Sequence, residues 1–409
     1  MATADVEIEQ LSSTQQTMEL EKQYLLQNYG RYPLALRRGK GTWLYDFNGK
    51  RYLDLISGIG VNALGHAHPR LTRVIREQAG LLIHCSNLYY HEYQGKLAEK
   101  LAKISGLQRS FFCNSGTEAM EGAMKMIRSH GNGGGAGKIE IIALENSFHG
   151  RSLGALSVTG QPKYRQDFEP LLAGPRWIPA NDIEALRAAV NSNTAGIILE
   201  GIQGEGGINP MHAAFLREAR ALADAHNALL VFDATQCGVG RTGVWFSHTL
   251  AAPDVQPDVM VTAKPLACGL PLGVVMCNER AAASIRPGMH GSTFGGGALA
   301  CRAAIEFIDI MEGGLLEQVS RVGDYFIAGL RDLQTKHSFV KEVRGAGLMI
   351  GVELDRPGKN YVMKGIEEGL LFNATHDTVL RFLPPYILTE KEVDRALRTL
   401  GKLFRTVKV

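Results

Sequence analysis

Ala228-Leu229-Leu230-Val231-Phe232-Asp233-Ala234-Thr235-Gln236 reads as a short buried strand ending in an acid. Val259-Met260-Val261-Thr262-Ala263-Lys264-Pro265-Leu266 reads as a second strand that runs into a lysine. Neither run shows the polar alternation of a half-exposed strand, which places both inside a sheet covered on its two faces. The pattern repeats outward from this pair. Residues 109–113, 139–144 and 195–200 are further strands, and 97–104, 117–128 and 213–226 are helices among them. Such alternation predicts an α/β fold with a mostly parallel sheet flanked by helices. Ligands of such sheets bind beyond the carboxyl ends of the strands, where Ser115, Asp233 and Lys264 all stand.

The pattern changes towards both ends. A helix is expected over 18–28, and strands over 42–46 and 51–55 flank the hairpin signal Asn48-Gly49. Beyond Phe294 come helices over 298–311 and 315–337, strands over 339–344 and 348–354, and a last helix over 390–404. The expected division is an N-terminal segment over 1–60 (a helix and small sheet packing with the C-terminal domain), a large domain over 61–294 and a small α+β domain over 295–409. Residues 1–15 and the glycine-rich stretch 131–137 are expected to be loose.

Composition narrows the function classes. A net charge of +3, from 44 Lys+Arg against 41 Asp+Glu in 409 residues, gives no basic stripe, so nucleic acid is not expected as a partner. Six cysteines without Cys-x-x-Cys spacing suit a reducing compartment better than a disulfide scaffold or zinc site. The N-terminus lacks the blocks of a secretory leader, and no apolar run approaches a membrane span. The expected location is cytoplasmic, with no membrane partner.

An acid and a primary amine at the mouth of one sheet are what pyridoxal 5'-phosphate (PLP) requires. The amine condenses with the cofactor's aldehyde, and the carboxylate keeps the pyridine nitrogen protonated so that the ring withdraws electrons. Asn114-Ser115-Gly116-Thr117-Glu118 ends a strand and opens a helix, which suits a phosphate ester; a plain N-cap explains it equally well. Ser147-Phe148-His149-Gly150-Arg151 offers a ring and a guanidinium, although singly a Phe is usually core and an Arg usually solvated. His66-Ala67-His68 lacks a third nearby ligand, so no metal is expected. Gly238-Val239-Gly240-Arg241-Thr242-Gly243 matches Gly-x-Gly-x-x-Gly letter for letter, but no helix evidently comes after it, which weakens a dinucleotide reading.

In this order the motifs resemble the class III (ornithine-type) aminotransferases of the PLP-dependent transferase fold type I. The resemblance runs from Asn28-Tyr29-Gly30-Arg31-Tyr32-Pro33-Leu34 to Arg381-Phe382-Leu383-Pro384-Pro385. It includes Gln203-Gly204-Glu205-Gly206-Gly207, Lys264-Pro265-Leu266 and Gly291-Ser292-Thr293-Phe294-Gly295. It implies a large domain with a mostly parallel seven-stranded sheet, a smaller α+β domain, and a homodimer with shared active sites. By the same resemblance Lys264 holds the cofactor and moves the proton, Asp233 pairs with the pyridine nitrogen, and Gln236 reaches the ring hydroxyl. Phe148 stacks on the ring, and Ser115, Gly116 and Thr117 hold the phosphate, with Thr293 supplied by the partner subunit. Arg151 binds the α-carboxylate of an ω-amino substrate and Arg381 that of glutamate or 2-oxoglutarate, while Glu205 neutralises Arg381 when a distal amine is presented. Gly58, where the ornithine enzyme carries a bulky aromatic, leaves room for an acylated amine; the alternative is that it only serves a turn.

The activity implied is transfer of the δ-amino group of N2-acetyl-L-ornithine to 2-oxoglutarate, a step of arginine biosynthesis, in two half-reactions through pyridoxamine phosphate. N-succinyl-diaminopimelate, succinylornithine and 4-aminobutyrate are alternative amines. The chain departs from the family in having Ala234 where Glu is usual and Thr235 where an aliphatic residue is usual. Alternation along the strand turns Ala234 away from the face of Asp233, so the electron sink is expected to survive. A PLP-binding protein impaired in turnover by Ala234 is the alternative, and an NAD dehydrogenase built on the Gly238 motif is the remaining rival.

Overall fold

The computed structural model describes residues 14–133 and 137–407. At its centre is a seven-stranded sheet in the order Arg109–Cys113, Gly273–Cys277, Val259–Thr262, Leu229–Asp233, Thr194–Leu199, Glu140–Leu144, Pro175–Ile178. Pairing is parallel from Val259–Thr262 through Pro175–Ile178. Gly273–Cys277 is antiparallel to both of its neighbours. This strand and Pro175–Ile178 were not among the strands expected from sequence. The latter opens on a proline, which lacks a donor and is tolerated at an edge.

Both faces of the sheet are buried, because alternate residues enter different cores. Leu230, Phe232, Ile197, Leu199 and Met260 join one apolar cluster. Leu229, Val231, Ala195, Ile198, Val259 and Val261 join the other. The run of adjacent aliphatic residues in each strand is the consequence. Ala234 falls in the cluster of Leu230 and Phe232, so the alternation carries Asp233 to the opposite side.

Two four-stranded sheets, and a two-stranded one formed by Ile202–Gln203 and Asn209–Pro210, complete the fold. Leu36–Lys40, Trp43–Asp46 and Arg51–Asp54 form an antiparallel meander. The last of these pairs in parallel with Leu370–Leu371, which ties the N-terminal segment to the C-terminal part. Gly49, at φ +80, takes the left-handed position of the expected hairpin turn. Val340–Ala346, Met349–Leu354, Val379–Phe382 and Asn373–Thr375 form the third sheet, antiparallel throughout. The final helix Glu390–Thr406 starts at a capping box in which Thr389 and Glu392 satisfy each other's backbone N–H groups.

Several local expectations shift. The first helix is Thr14–Tyr24, ending before the exposed Leu25 and Leu26. Gly131 and Asn132 finish the helix Gly116–Asn132 and do not form a loop, while 1–13 and 134–136 lie outside the described residues. The Gly238 to Gly243 stretch is a tight turn with Gly240 at φ +88 and Gly243 at φ +82, and the next helix along the chain is the four-residue His248–Ala251. Among the described residues no helix is long and apolar enough to cross a membrane.

Candidate active site

The strands Leu229–Asp233 and Val259–Thr262 are parallel neighbours, so their carboxyl ends lie side by side. Asp233 closes the first. Its Oδ1 accepts the N–H of Thr235 at 2.9 Å, and its Oδ2 lies 2.8 Å from Nδ1 of His149. Both side chains are buried, and Nε2 of His149 has no partner. Burial opposes protonation of this imidazole, but the Asp233 carboxylate outweighs it and holds the ring above its ordinary pKa. Behind them Glu200 accepts the N–H of Phe148 at 3.3 Å and of Gly204 at 3.1 Å; burial pushes its carboxyl up to about 7. His149 stands inside the motif Ser147–Arg151 and Glu200 at the end of an expected strand, but nothing local marks either as part of this site. Nothing in one sequence couples residues so far apart.

Lys264 comes after the second strand in a left-handed backbone setting, φ +20, that a non-glycine residue rarely adopts. Its Nζ makes no hydrogen bond or ion pair among the described residues. Burial lowers the pKa of this amine by more than nearby Glu205 raises it, which favours the neutral, nucleophilic form.

Beside them opens the helix Gly116–Asn132. Ser115 is its N-cap, accepting the N–H of Glu118 at 3.2 Å. Thr117 Oγ1 accepts the N–H groups of Arg151 and Ser152, each at 3.2 Å. Gly116 and Thr117 are the first two residues of the helix, so their N–H groups have no intrahelical acceptor. The buried hydroxyl of Thr235 has no partner either. Thr235 presses on Gly116, where a Cβ would stand 2.7 Å from its Cγ2. The expected plain cap and the expected anion cradle thus coexist: the Ser115 hydroxyl caps, while the free amides remain for an anion.

These groups line a cavity of about 250 Å³ together with Phe148, Arg151, Glu205 and Gln236. An unpartnered amine, a buried carboxylate backed by imidazole, an aromatic ring and two free amides at a helix N-terminus fit an aldehyde-bearing aromatic phosphate ester such as PLP. The Arg151 guanidinium lies 3.9 Å from the centre of the Tyr164 ring and 5.5 Å from that of Phe148. Among the described residues it has no carboxylate partner.

Arg381 is fully buried beside the cavity, against Glu205 and Gln236 of its wall. It donates to Glu205 at 2.5 Å, to Asn373 at 3.1 Å and to Gln236 at 3.2 Å, and Gln236 donates to Glu205 at 3.4 Å. Burial raises the Glu205 pKa, but the guanidinium overrides it and holds the carboxyl below its usual range. Two sequence candidates stand apart from the cavity wall. Gly58 is exposed at φ +64, and Thr293 is exposed in a loop that Asn87 holds through Ser292 O at 3.2 Å and Gly295 O at 3.0 Å. Ala234 is buried against Gly238, away from the cavity.

Comparison with known proteins agrees with this geometry. The family described as Aminotransferase class-III matches residues 24–404. The chain is 46% identical over 402 residues to the acetylornithine aminotransferase of Methanocaldococcus jannaschii, covering 97% of this chain and 100% of that one. Among solved structures it is similar to the ornithine aminotransferase of Toxoplasma gondii, with a TM-score of 0.92 and 32% identity over 97% of this chain and 96% of that one. It is also similar to the N-acetylornithine aminotransferase of Stenotrophomonas maltophilia, with a TM-score of 0.81 and 34% identity over 95% and 98%.

Proposed function

This chain belongs to the class III aminotransferases and is a PLP-dependent enzyme, and on that premise we propose that it moves the δ-amino group of N2-acetyl-L-ornithine to 2-oxoglutarate. The observation that carries the reading is the Glu205–Arg381 pair, closed at 2.5 Å within reach of Lys264, while Arg151 across the cavity has no carboxylate partner among the described residues. A substrate presenting a distal amine then meets one available guanidinium, Arg151, for its remote carboxylate. Arg381 near the reacting end stays neutralised by Glu205. For 2-oxoglutarate the α-carboxylate takes the place of Glu205 on Arg381 in a bidentate contact. The acylated form of the amine is supported by the names of the relatives.

Bound PLP supplies an aldehyde that captures the amine and a ring that draws off the electron pair left when the carbon-bound proton departs. Asp233 would present its carboxylate to the ring nitrogen, with His149, 2.8 Å away, fixing that carboxylate's orientation. Phe148, on the cavity wall, would cover one face of the ring. The free amides of Gly116 and Thr117, with Ser115, receive the phosphate at the positive end of a helix. Nζ of Lys264, depressed in pKa, would take the proton from the substrate carbon and hand it to the cofactor carbon that takes up the amino nitrogen.

We further propose a homodimer. Leu81, Leu88, Tyr89, Tyr90 and Phe294 expose a large apolar surface next to the loop of Thr293, and a second copy covering it would place Thr293 at the neighbouring site. In the same reading the chain divides into segments 1–60, 61–294 and 295–409 and works in the cytoplasm.

A panel of amines at fixed 2-oxoglutarate tests the substrate. N-acetylornithine is expected to have the highest kcat/KM; a clear preference for 4-aminobutyrate or free ornithine overturns the reading.

A further inference from the structure

The two members of the Arg381–Glu205 pair lie far apart in the chain, yet one three-residue strand holds both. Asn373–Thr375 pairs antiparallel with Val379–Phe382, setting Asn373 opposite Arg381 and Thr375 opposite Val379. Alternation puts Asn373 and Thr375 on one face, and Ala374, between them, packs against the core. Oδ1 of Asn373 accepts Nε of Arg381 at 3.1 Å, while Oγ1 of Thr375 donates to the backbone carbonyl of Glu205 at 2.7 Å. The same loop is gripped again two residues on. Arg344 donates to the carbonyls of Gly207 and Ile208 at 3.0 and 3.1 Å. The backbone of Glu205 is therefore anchored, so any opening of the pair falls to its side chain.

We propose that Asn373 and Thr375 are positioning residues that set the balance between the two half-reactions, Asn373 by orienting the Arg381 guanidinium and Thr375 by keeping the Glu205 loop where its carboxylate closes on that guanidinium. The proposal rests on the reading of Glu205 as the neutraliser of Arg381. Its consequence is asymmetric. Without the Asn373 contact, Arg381 can turn about its last bonds, so a dicarboxylate loses its aligned partner while a distal amine does not. Without the Thr375 contact the pair opens more often, so the distal amine meets an uncovered positive charge while the dicarboxylate gains access.

The test measures the half-reactions separately in the holoenzyme, by the absorbance change of the cofactor on adding N-acetylornithine and, from the aminated enzyme, 2-oxoglutarate. Asn373→Ala is expected to lower kcat/KM for 2-oxoglutarate about tenfold and leave the amine within about twofold. Thr375→Val is expected to lower the amine about fivefold with 2-oxoglutarate unchanged or improved, and Thr375→Ser to restore the balance. Asn373→Ser provides a second route should the alanine variant fold poorly. Calorimetry with glutarate, a diacid that cannot react, is expected to show weaker binding to Asn373→Ala and undiminished binding to Thr375→Val. Variants that slow both half-reactions in equal proportion and bind glutarate alike overturn the proposal, because the strand is then only scaffold. A wild-type enzyme that accepts no distal amine overturns the substrate reading instead, and the glutarate measurement still decides the anchoring.

Discussion

Oδ2 of Asp233 lies 2.8 Å from Nδ1 of His149 with both side chains buried, so the carboxylate that faces the cavity is braced from behind by an imidazole that it helps to protonate. A charge-assisted hydrogen bond of this kind contributes about 1.5–3 kcal/mol. His149→Ala is therefore expected to lower kcat by roughly 10- to 100-fold while the cofactor remains bound. Stopped-flow rates on protein with unchanged cofactor content check this, and an unaltered kcat refutes it.

The N–H of Gly116 is free at the helix start, and nothing extends from its Cα to crowd the proposed phosphate cradle. A Cβ there would stand 2.7 Å from Thr235 Cγ2, on the wall of the cavity. Gly116→Ala is expected to raise the dissociation constant for PLP about tenfold, roughly 1.4 kcal/mol, with the fold intact. Equilibrium dialysis alongside circular dichroism separates this from general unfolding.

Glu205→Gln keeps the shape of the closed pair and removes its negative charge. The uncovered Arg381 is then expected to favour glutamate over N-acetylornithine as amino donor by about tenfold relative to wild type, a change of about 1.4 kcal/mol in relative transition-state binding. Competition between the two donors, read from product ratios, reports it directly. An unchanged ratio removes Glu205 from its assigned role.

Glu200 imposes a pH dependence on stability. Burial raises its pKa from 4.5 to about 7. Between those values the folded protein holds a proton that the unfolded chain has released, so the contribution of this group falls as pH rises through the window, by about 3 kcal/mol in total. Glu200→Gln cannot titrate. Urea unfolding from about pH 5 to about pH 8 is expected to show the variant gaining on wild type by about that amount. A difference independent of pH contradicts the assignment.

Ala234 lies in the core beside Gly238, not on the cavity wall that Asp233 and Thr235 share. Ala234→Ser is expected to cost about 1–2 kcal/mol of stability, from a hydroxyl buried without a partner, and to leave kcat within about twofold. A large loss of kcat with unchanged stability reverses this and makes position 234 part of the catalytic environment.

Much of the fold was legible because each central strand announces itself locally, as a short aliphatic run bounded by turn residues. In the central sheet the two strands missed were the proline-headed edge Pro175–Ile178 and the antiparallel Gly273–Cys277, whose places depend on neighbours and not on their own composition; the short strands Leu36–Lys40, Asn373–Thr375 and Val379–Phe382 of the smaller sheets were missed as well. Of the site residues named from sequence, the structure gathers Ser115, Gly116, Thr117, Phe148, Arg151, Glu205, Asp233, Gln236 and Lys264 around one cavity. It sets Arg381 against Glu205 and leaves Gly58 and Thr293 outside the wall.

The type of chemistry is legible locally, since an acid and a lysine at the ends of two buried strands, and a helix start with free amides, are features read within a few residues. How those groups are held is not local: His149 bonds Asp233, Glu200 takes the N–H groups of Phe148 and Gly204, and Asn373 and Thr375 stand at either end of the Arg381–Glu205 pair. His149 and Asp233 are 84 positions apart and Glu205 and Arg381 are 176 apart. Such contacts arise from sheet order and from the packing of the C-terminal sheet against the segments that follow the central strands, and no local pattern encodes either.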